Sequence, residues 1–283
     1  MAEKARRRTV RRAPKPSVED AIGVFDSGIG GLTVLRSITA LMPRENVMYL
    51  GDTARLPYGS KSGETVIKYA VELADFLVER GVKAIVVACN TMSAMALDVL
   101  RARYSIPVLG VVDPGARAAL HASKRRRVGV IGTEATIESG AYARSLRAVD
   151  SEVEIFTRAC PLFVPLAEEG WVGNDVARRA VATYLASLKK SGIDTLILGC
   201  THYPLLKKPI GEFLGGRVRL VDSAEETALE LRRLLSGKGL SRRRGGTGSA
   251  SFFVTDSVER FMRVGERFYG TSMASAVRIV LRS

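Results

Sequence analysis

The tightest constraint on the fold of this chain is a pair of short apolar runs that each end in a cysteine. The first, AIVVACNTMS, spans residues 84–93, and the second, TLILGCTHY, spans residues 195–203. Runs of about five apolar residues, rich in Val, Ile and Leu and bounded by polar turn formers, suit strands buried on both faces of a parallel sheet. Each thiol, Cys89 and Cys200, is then delivered to the carboxyl edge of its sheet. That edge of an open α/β sheet is where ligands bind, because the loops and helix amino-termini beyond it present free N–H groups.

The rest of the chain repeats one plan twice. A first strand (AIGVF, 21–25) runs into the glycine loop DSGIGG (26–31) and a helix over 32–41. A second strand over 47–50 leads to Gly51-Asp52-Thr53 and to Pro57-Tyr58-Gly59, a fixed turn with Tyr58 at its tip. A helix over 64–80, with apolar positions at 66, 67, 70, 73, 74 and 77, ends at Gly81. The first cysteine strand is followed by a helix from about Ser93 to Arg103 and a strand over 108–112. From Val128 the chain starts again: VGVIGT (128–133) echoes IGVFDS (22–27) at an offset of 106, residues 153–156 echo 47–50 at the same offset, and Cys200 echoes Cys89 at 111.

Helical patterns follow over 164–169, with Glu168 and Glu169 read as exposed, and over 174–191. Pro204 suits a first helical position. A strand over 219–221, a helix over 223–235, a mobile loop over 237–251, a last strand over 252–255 and a helix over 258–268 complete the chain. The expected architecture is α/β: two similar open, mainly parallel-sheet lobes related by pseudo-two-fold symmetry, with the active site in the cleft between them. Residues 20–113 with 222–283 form the first, discontinuous lobe and residues 114–221 the second, behind a disordered basic tail over 1–19.

Composition narrows the functional classes. The net charge of +14 is matched in size by three clusters: seven cations between Lys4 and Lys15, four over Lys124–Arg127 and three over Arg242–Arg244. The body without them is near neutral, so the tail reads as a solubilising extension, a reading that outweighs nucleic-acid or topoisomerase contact through it. No apolar run approaches the about 20 residues of a membrane helix, and no apolar core follows the basic amino-terminus as a signal peptide requires, so the expectation is a cytoplasmic protein with no membrane partner. Three widely spaced cysteines without a CxxC argue against a disulfide framework or a zinc knuckle. A nicotinamide site is rejected because Thr33 stands where a dinucleotide loop needs glycine, and Gly59-Ser60-Lys61-Ser62 lacks the order of a phosphate loop.

A thiol beside a helix amino-terminus has its thiolate favoured by the helix dipole, and is expected to titrate below the free value of about 8.5. Two such thiols facing each other across a cleft suit inversion of a carbon centre: one removes a proton from one face while the other donates to the opposite face. Buried cysteine is more often inert core. That reading is preferred for Cys160, whereas the polar neighbours Asn90-Thr91 and Thr201-His202 argue against it for Cys89 and Cys200. His202 gains weight from its neighbours, and His121 lies in a basic helical stretch that reads as surface.

The segments FDSGIGGLTVL (25–35), YLGDTARLPYG (49–59), ACNTMSA (88–94), GVIGTEATIESGAY (129–142), ACPLFVPLAEEG (159–170) and LGCTHYPLL (198–206) together resemble the bacterial glutamate racemases, of the cofactor-independent aspartate/glutamate racemase superfamily. The resemblance implies catalytic thiols at Cys89 and Cys200. It implies substrate contacts at Asp26, Ser27, Tyr58, Gly59, Asn90, Thr91, Thr201 and His202. Asp26 near the first thiol, and Glu168 and His202 near the second, match groups that assist proton transfer, with Asp52, Thr133 and Thr136 as weaker supporting candidates. It further implies conversion of glutamate to D-glutamate for peptidoglycan, no pyridoxal phosphate or metal, and a homodimer. Thr91, Thr201 and loop amides suit the α-carboxylate, while Asp26 suits either the ammonium group or general-base support. Competing readings are a racemase of the same superfamily acting on aspartate or a hydantoin, a cysteine hydrolase using Cys200 with His202, and a binding role through the tail. The doubled cysteine argues against the hydrolase, which needs only one nucleophile.

Overall fold

The computed structural model describes residues 15–243 and 245–281, so most of the expected basic tail, residues 1–14, lies outside the described residues. In the first repeat the chain forms β1 (Ile22–Asp26), α1 (Leu32–Leu41), β2 (Val47–Gly51), α2 (Gly63–Val78), β3 (Ala84–Val87), α3 (Asn90–Arg103) and β4 (Val108–Gly110). In the second it forms α4 (Val112–Ala122), β5 (Arg127–Gly132), α5 (Glu134–Glu138), α6 (Ala141–Val149), β6 (Glu154–Ala159), α7 (Phe163–Glu168), α8 (Asp175–Lys190), β7 (Thr195–Gly199), α9 (Lys207–Leu214) and β8 (Arg219–Asp222). It closes with α10 (Ser223–Gly237), β9 (Ala250–Val254), α11 (Val258–Tyr269) and β10 (Val277–Arg278).

Two all-parallel sheets result, ordered β10-β9-β2-β1-β3-β4 and β6-β5-β7-β8. The inner order of the first, β2-β1-β3-β4, is the order of the second, so the doubled plan is present in the topology. Ile22 faces Ala84 and Val128 faces Thr195, which carries the first strand by 106 residues and the third by 111, as the cysteines require. The second strands differ. Val47 faces Ile22 but Ile155, not Val153, faces Val128, so that echo slips by two residues.

Each sheet is covered on both faces, which is why β1, β3 and β7 read as unbroken apolar runs with every residue buried. In the first lobe α1, α10 and α11 supply one core, with Leu35, Leu231 and Phe261, and α2 and α3 supply the other, with Leu73 and Leu100. In the second, α7, α8 and α9 pack Phe163, Leu185 and Ile210 on one face while α4 and α6 pack Ala116 and Leu146 on the other.

Several local expectations are corrected. α3 starts at Asn90 rather than Ser93, directly after Cys89, whose φ of −69° and ψ of 125° make it the capping residue. The strand expected over 108–112 stops at Gly110, because α4 begins at Val112 with Pro114 inside its first turn, where a missing N–H is harmless. Pro204 opens only a 3-10 turn (Tyr203–Leu206) ahead of α9. The stretch 237–251 is not a free loop: α10 runs to Gly237, the Arg242 N–H donates to Glu45 Oε1 at 2.9 Å, and the Ser249 N–H donates to Asn46 Oδ1 at 3.0 Å. The two-residue β10 was not expected at all. Val18 and Glu19, counted with the tail, are bonded to the body through Lys83 Nζ and Arg242 Nε. Among the described residues no helix is long and apolar enough to cross a membrane.

Candidate active site

In each sheet the chain reverses its winding direction at the first strand, so a crevice opens between the carboxyl ends of β1 and β3 in one lobe and of β5 and β7 in the other. The ends of those four strands and the residues just beyond them carry Asp26 and Ser27, Cys89 to Thr91, Thr133, and Cys200 to His202. The two crevices face each other. Ser27, Tyr58, Gly59, Cys89, Asn90, Thr91, Thr133, Cys200, Thr201 and His202 line one cavity of about 290 Å³. Asp26 lies fully buried behind this lining.

The approach of the lobes is set by glycines and hydroxyls. A Cβ on Gly30 would lie 2.5 Å from His202 Nδ1 and overlap Thr201 Oγ1, so only glycine allows the first loop to meet the 201–202 turn. Thr33 Oγ1 donates to the Thr201 carbonyl at 3.2 Å across the same contact. On the other side Gly59 packs on Thr133, the Ala135 N–H donates to the Gly59 carbonyl at 3.0 Å, and Thr91 Oγ1 lies 3.0 Å and 3.1 Å from the hydroxyls of Thr133 and Thr136. Thr133 and Thr136 therefore join the lobes around Thr91.

The two thiols have unlike surroundings. Cys89 is 6 % exposed and donates to Ser27 Oγ at 3.6 Å. Burial, reinforced by the nearby Asp26 carboxylate, pushes its pKa up to about 12, against the Met92 N–H and the Ser27 hydroxyl. The expected lowering of Cys89 by the dipole of α3 is thus reversed: a helix terminus is worth at most about 1–2 kcal/mol, whereas full burial shifts a group by up to several pKa units. Cys200, 7 % exposed, precedes a 3-10 turn rather than an α-helix, and its partner is His202, with Nδ1 3.8 Å from the sulfur.

His202 Nε2 lies 3.1 Å from Glu168 Oε1. Burial works to lower the imidazole pKa, but the contacts with Cys200 and Glu168 outweigh it and raise the value to about 10. Burial raises the Glu168 carboxyl, yet His202 and Arg260 together hold it below its ordinary value. The pair is an imidazolium and a carboxylate at neutral pH. Glu168, read as exposed from the sequence, has a side chain only 11 % exposed.

Asp26 Oδ2 accepts from the Gly28 N–H at 2.9 Å, while Oδ1 has no partner. Burial raises its pKa, partly offset by His202 and the loop amides of Gly31, Gly28 and Ser27. Asn90 Oδ1 accepts from the Tyr142 hydroxyl at 2.7 Å, which leaves Asn90 Nδ2 as a second unpaired buried group beside the cavity. Tyr58 contributes its ring and backbone, because its hydroxyl donates to Asp52. Asp52 also accepts from Thr255 Oγ1 at 2.8 Å and Arg55 Nε at 2.6 Å, so it anchors the loop and has no acceptor directed at the cavity. Cys160 is fully buried and His121 is exposed, as their sequence contexts indicate. The apolar wall of Pro161, Val164 and Pro165 lies in the segment ACPLFVPLAEEG that carries part of the resemblance, but these residues have no reactive group and were assigned no site role from the sequence.

This chain is similar over most of its length to proteins of one racemase family. A family model described as Asp/Glu/Hydantoin racemase matches residues 22–231. A glutamate racemase of Geobacter metallireducens is 54% identical over 263 residues, spanning 93% of this chain and 97% of that protein. The crystal structure of a glutamate racemase isoform from Bacillus anthracis superposes with a TM-score of 0.89 at 42% identity, covering 93% of this chain and 98% of that one. The glutamate racemase of Francisella tularensis, solved in complex with D-glutamate, gives a TM-score of 0.87 at 38% identity over 93% of this chain and 98% of that one. By the extent of the model match and the identity of these relatives, the chain belongs to the Asp/Glu/hydantoin racemase family.

Proposed function

We propose that this protein is a glutamate racemase that interconverts L- and D-glutamate by proton transfer at the α-carbon, with Cys89 and Cys200 as the two proton-transfer groups. The observation that carries the reading is that both thiols, one from each lobe, line a single cavity of about 290 Å³. A glutamate α-proton is weakly acidic, so the carbanion-like transition state needs fixed dipoles in a site from which water is excluded. One thiolate takes the proton from one face of the carbon, and the opposing thiol delivers its own proton to the other face. The reverse direction exchanges the roles, so no atom is gained or lost. The raised pKa of Cys89 keeps its proton in place at neutral pH, as the donor requires, and the His202 imidazolium stands beside Cys200.

Thr91, Thr201 and the unpaired Asn90 Nδ2 suit the α-carboxylate, and the unpaired Oδ1 of Asp26 suits support of the ammonium end from behind Ser27. Ser27, Tyr58 and Gly59 complete the lining around them. The family relation supports a cytoplasmic homodimer that supplies D-glutamate for peptidoglycan, without pyridoxal phosphate or metal. The reading keeps a lobe division of 20–113 with 222–283 against 114–221, which the presence of two separate sheets supports.

The test is incubation of L-glutamate, D-glutamate and L-aspartate separately in deuterated water, following optical rotation and α-deuteration without added cofactor. Both glutamate enantiomers are expected to racemise with deuterium uptake, and aspartate to react far more slowly. Cys89→Ala and Cys200→Ala are each expected to lose turnover by at least about a thousandfold, since each removes an obligatory proton carrier. Two-way turnover retained in either variant rules out the two-thiol mechanism.

A further inference from the structure

We infer that Arg260 is a positioning residue for the Cys200 half of the reaction, and that through it the helix α11 of one lobe holds the proton-transfer group of the other. The inference rests on the reading that Cys200 exchanges a proton with substrate. Three side chains of α11 reach the segment that supports Cys200. Arg260 Nη2 pairs with Glu168 Oε2 at 3.0 Å, Arg267 Nη1 donates to the Glu168 carbonyl at 3.0 Å, and the Phe268 ring meets the His202 ring edge-on, 5.1 Å between centroids. Positions 260, 267 and 268 fall on one face of a helix, and Val264 between them is buried in the first-lobe core.

The contacts form one line of charge and hydrogen bonding from α11 to sulfur. Arg260 holds one oxygen of the Glu168 carboxylate, the other oxygen holds His202 Nε2, and His202 Nδ1 faces Cys200 Sγ. A carboxylate gripped at both oxygens has one orientation, and so does the imidazole that depends on it. Without Arg260 the carboxylate keeps only His202 as a partner and gains rotational freedom, so the ring loses its fixed aim at the sulfur. The charged groups facing this pair are Cys200 and Asp26 on the cavity side, and Arg260 and Arg267 from α11. Arg260 is one of the two groups that favour the Glu168 carboxylate over its acid, so its loss moves protonation of Glu168 to higher pH.

The experiment compares Arg260→Ala, Arg260→Lys and Arg267→Ala with the wild-type chain, each checked for folding by circular dichroism and thermal unfolding. Readouts are kcat and KM for both enantiomers and the pH profile of kcat. Arg260→Ala is expected to lower kcat about three- to fivefold with KM within about twofold, the upper end of what a half-exposed charged contact supports. The acid limb of its profile moves to higher pH. Arg260→Lys restores the charge and recovers most of the rate. Arg267→Ala loosens the docking of α11 but leaves the carboxylate pair intact, so its acid limb stays where it is in the wild type. The enantiomers have equal free energy, so kcat/KM falls equally in both directions. Unchanged kcat and limb in Arg260→Ala, or a loss matched by Arg267→Ala with the limb unmoved, overturns the positioning role. Failure of the wild-type chain to racemise glutamate, or retained turnover in Cys200→Ala, removes the underlying reading instead and is seen before any Arg260 variant is compared.

Discussion

Cys89 and Cys200 occupy matched places in the two lobes yet are held in different protonation environments. Cys89 is buried beside a carboxylate, and Cys200 sits beside an imidazolium. The proposed two-base inversion works through two sulfurs, and their neighbours differ although the residues themselves do not. The imidazolium has a consequence for stability. His202 is raised from 6.5 to about 10, so its contribution to folding is complete below the unfolded value and vanishes as pH rises through about 10. Glu168 is lowered from 4.5, so its contribution is present above that value and is lost as pH falls through the folded one. The pair therefore stabilises the fold most between about pH 4.5 and 6.5, and progressively less as pH rises from there toward about 10. Thermal unfolding of the wild-type chain is expected to fall more steeply above about pH 8 than that of His202→Gln, which cannot titrate. Parallel slopes would assign the alkaline loss to other groups.

Elements deliver these residues through their ends rather than their faces. β1, β3, β5 and β7 are buried apolar rods, and the chemistry begins at the residue where each stops. Backbone room at those ends is as important as side chains. Gly30→Ala places a Cβ 2.5 Å from His202 Nδ1 and 2.6 Å from Cε1, contacts that the packed turn cannot accept without moving. Overpacking of this kind costs about 1–3 kcal/mol. Calorimetry on Gly30→Ala is expected to show a melting temperature several degrees lower, with turnover reduced at least about tenfold because the loops carrying Ser27 and His202 are forced apart. Wild-type turnover in this variant would mean that the close approach is not needed for catalysis.

At the scale of the molecule, the carboxyl edges of the sheets carry the candidate site and the opposite edge carries a structural anchor. Lys83, fully buried, pairs with Glu45 at 2.5 Å and donates to the Val18 carbonyl at 2.7 Å, while Glu45 Oε1 accepts the Arg242 N–H. This one cation ties the amino-terminal segment, the entries to β2 and β3, and the arginine-rich loop together. Removing one partner of a buried pair leaves the other charge without compensation, at a cost of about 3–5 kcal/mol. Lys83→Met is therefore expected to lower the melting temperature by about 10 °C. Its turnover at 25 °C is expected to stay within about twofold of the wild type, since the anchor touches none of the cavity lining. A loss of turnover larger than the loss of folded protein would link the anchor to the cleft.

How much of this was legible beforehand depends on the range of the forces involved. Strand burial, helix amphipathicity and turn chemistry act over a few residues, so the doubled α/β plan, the cysteines at strand ends and the polar neighbours Asn90, Thr91, Thr201 and His202 could be read directly from the chain. The start of α3 at Asn90 and the brevity of β4 were misjudged because capping at a strand end is decided by the loop that packs beside it. Local pattern made Glu168 look exposed, and only the family resemblance placed it near Cys200, because the partner that holds its side chain, Arg260, lies 92 residues further on. The direction of the Cys89 shift could not be read, because local sequence reports the helix dipole and only packing reports desolvation. The sequence by itself determined which residues could do proton chemistry and at which strand ends they would stand. Tertiary structure alone decided that the two ends share one cavity, and which sulfur faces a cation and which a carboxylate, because electrostatics and burial are properties of neighbours that only folding brings together.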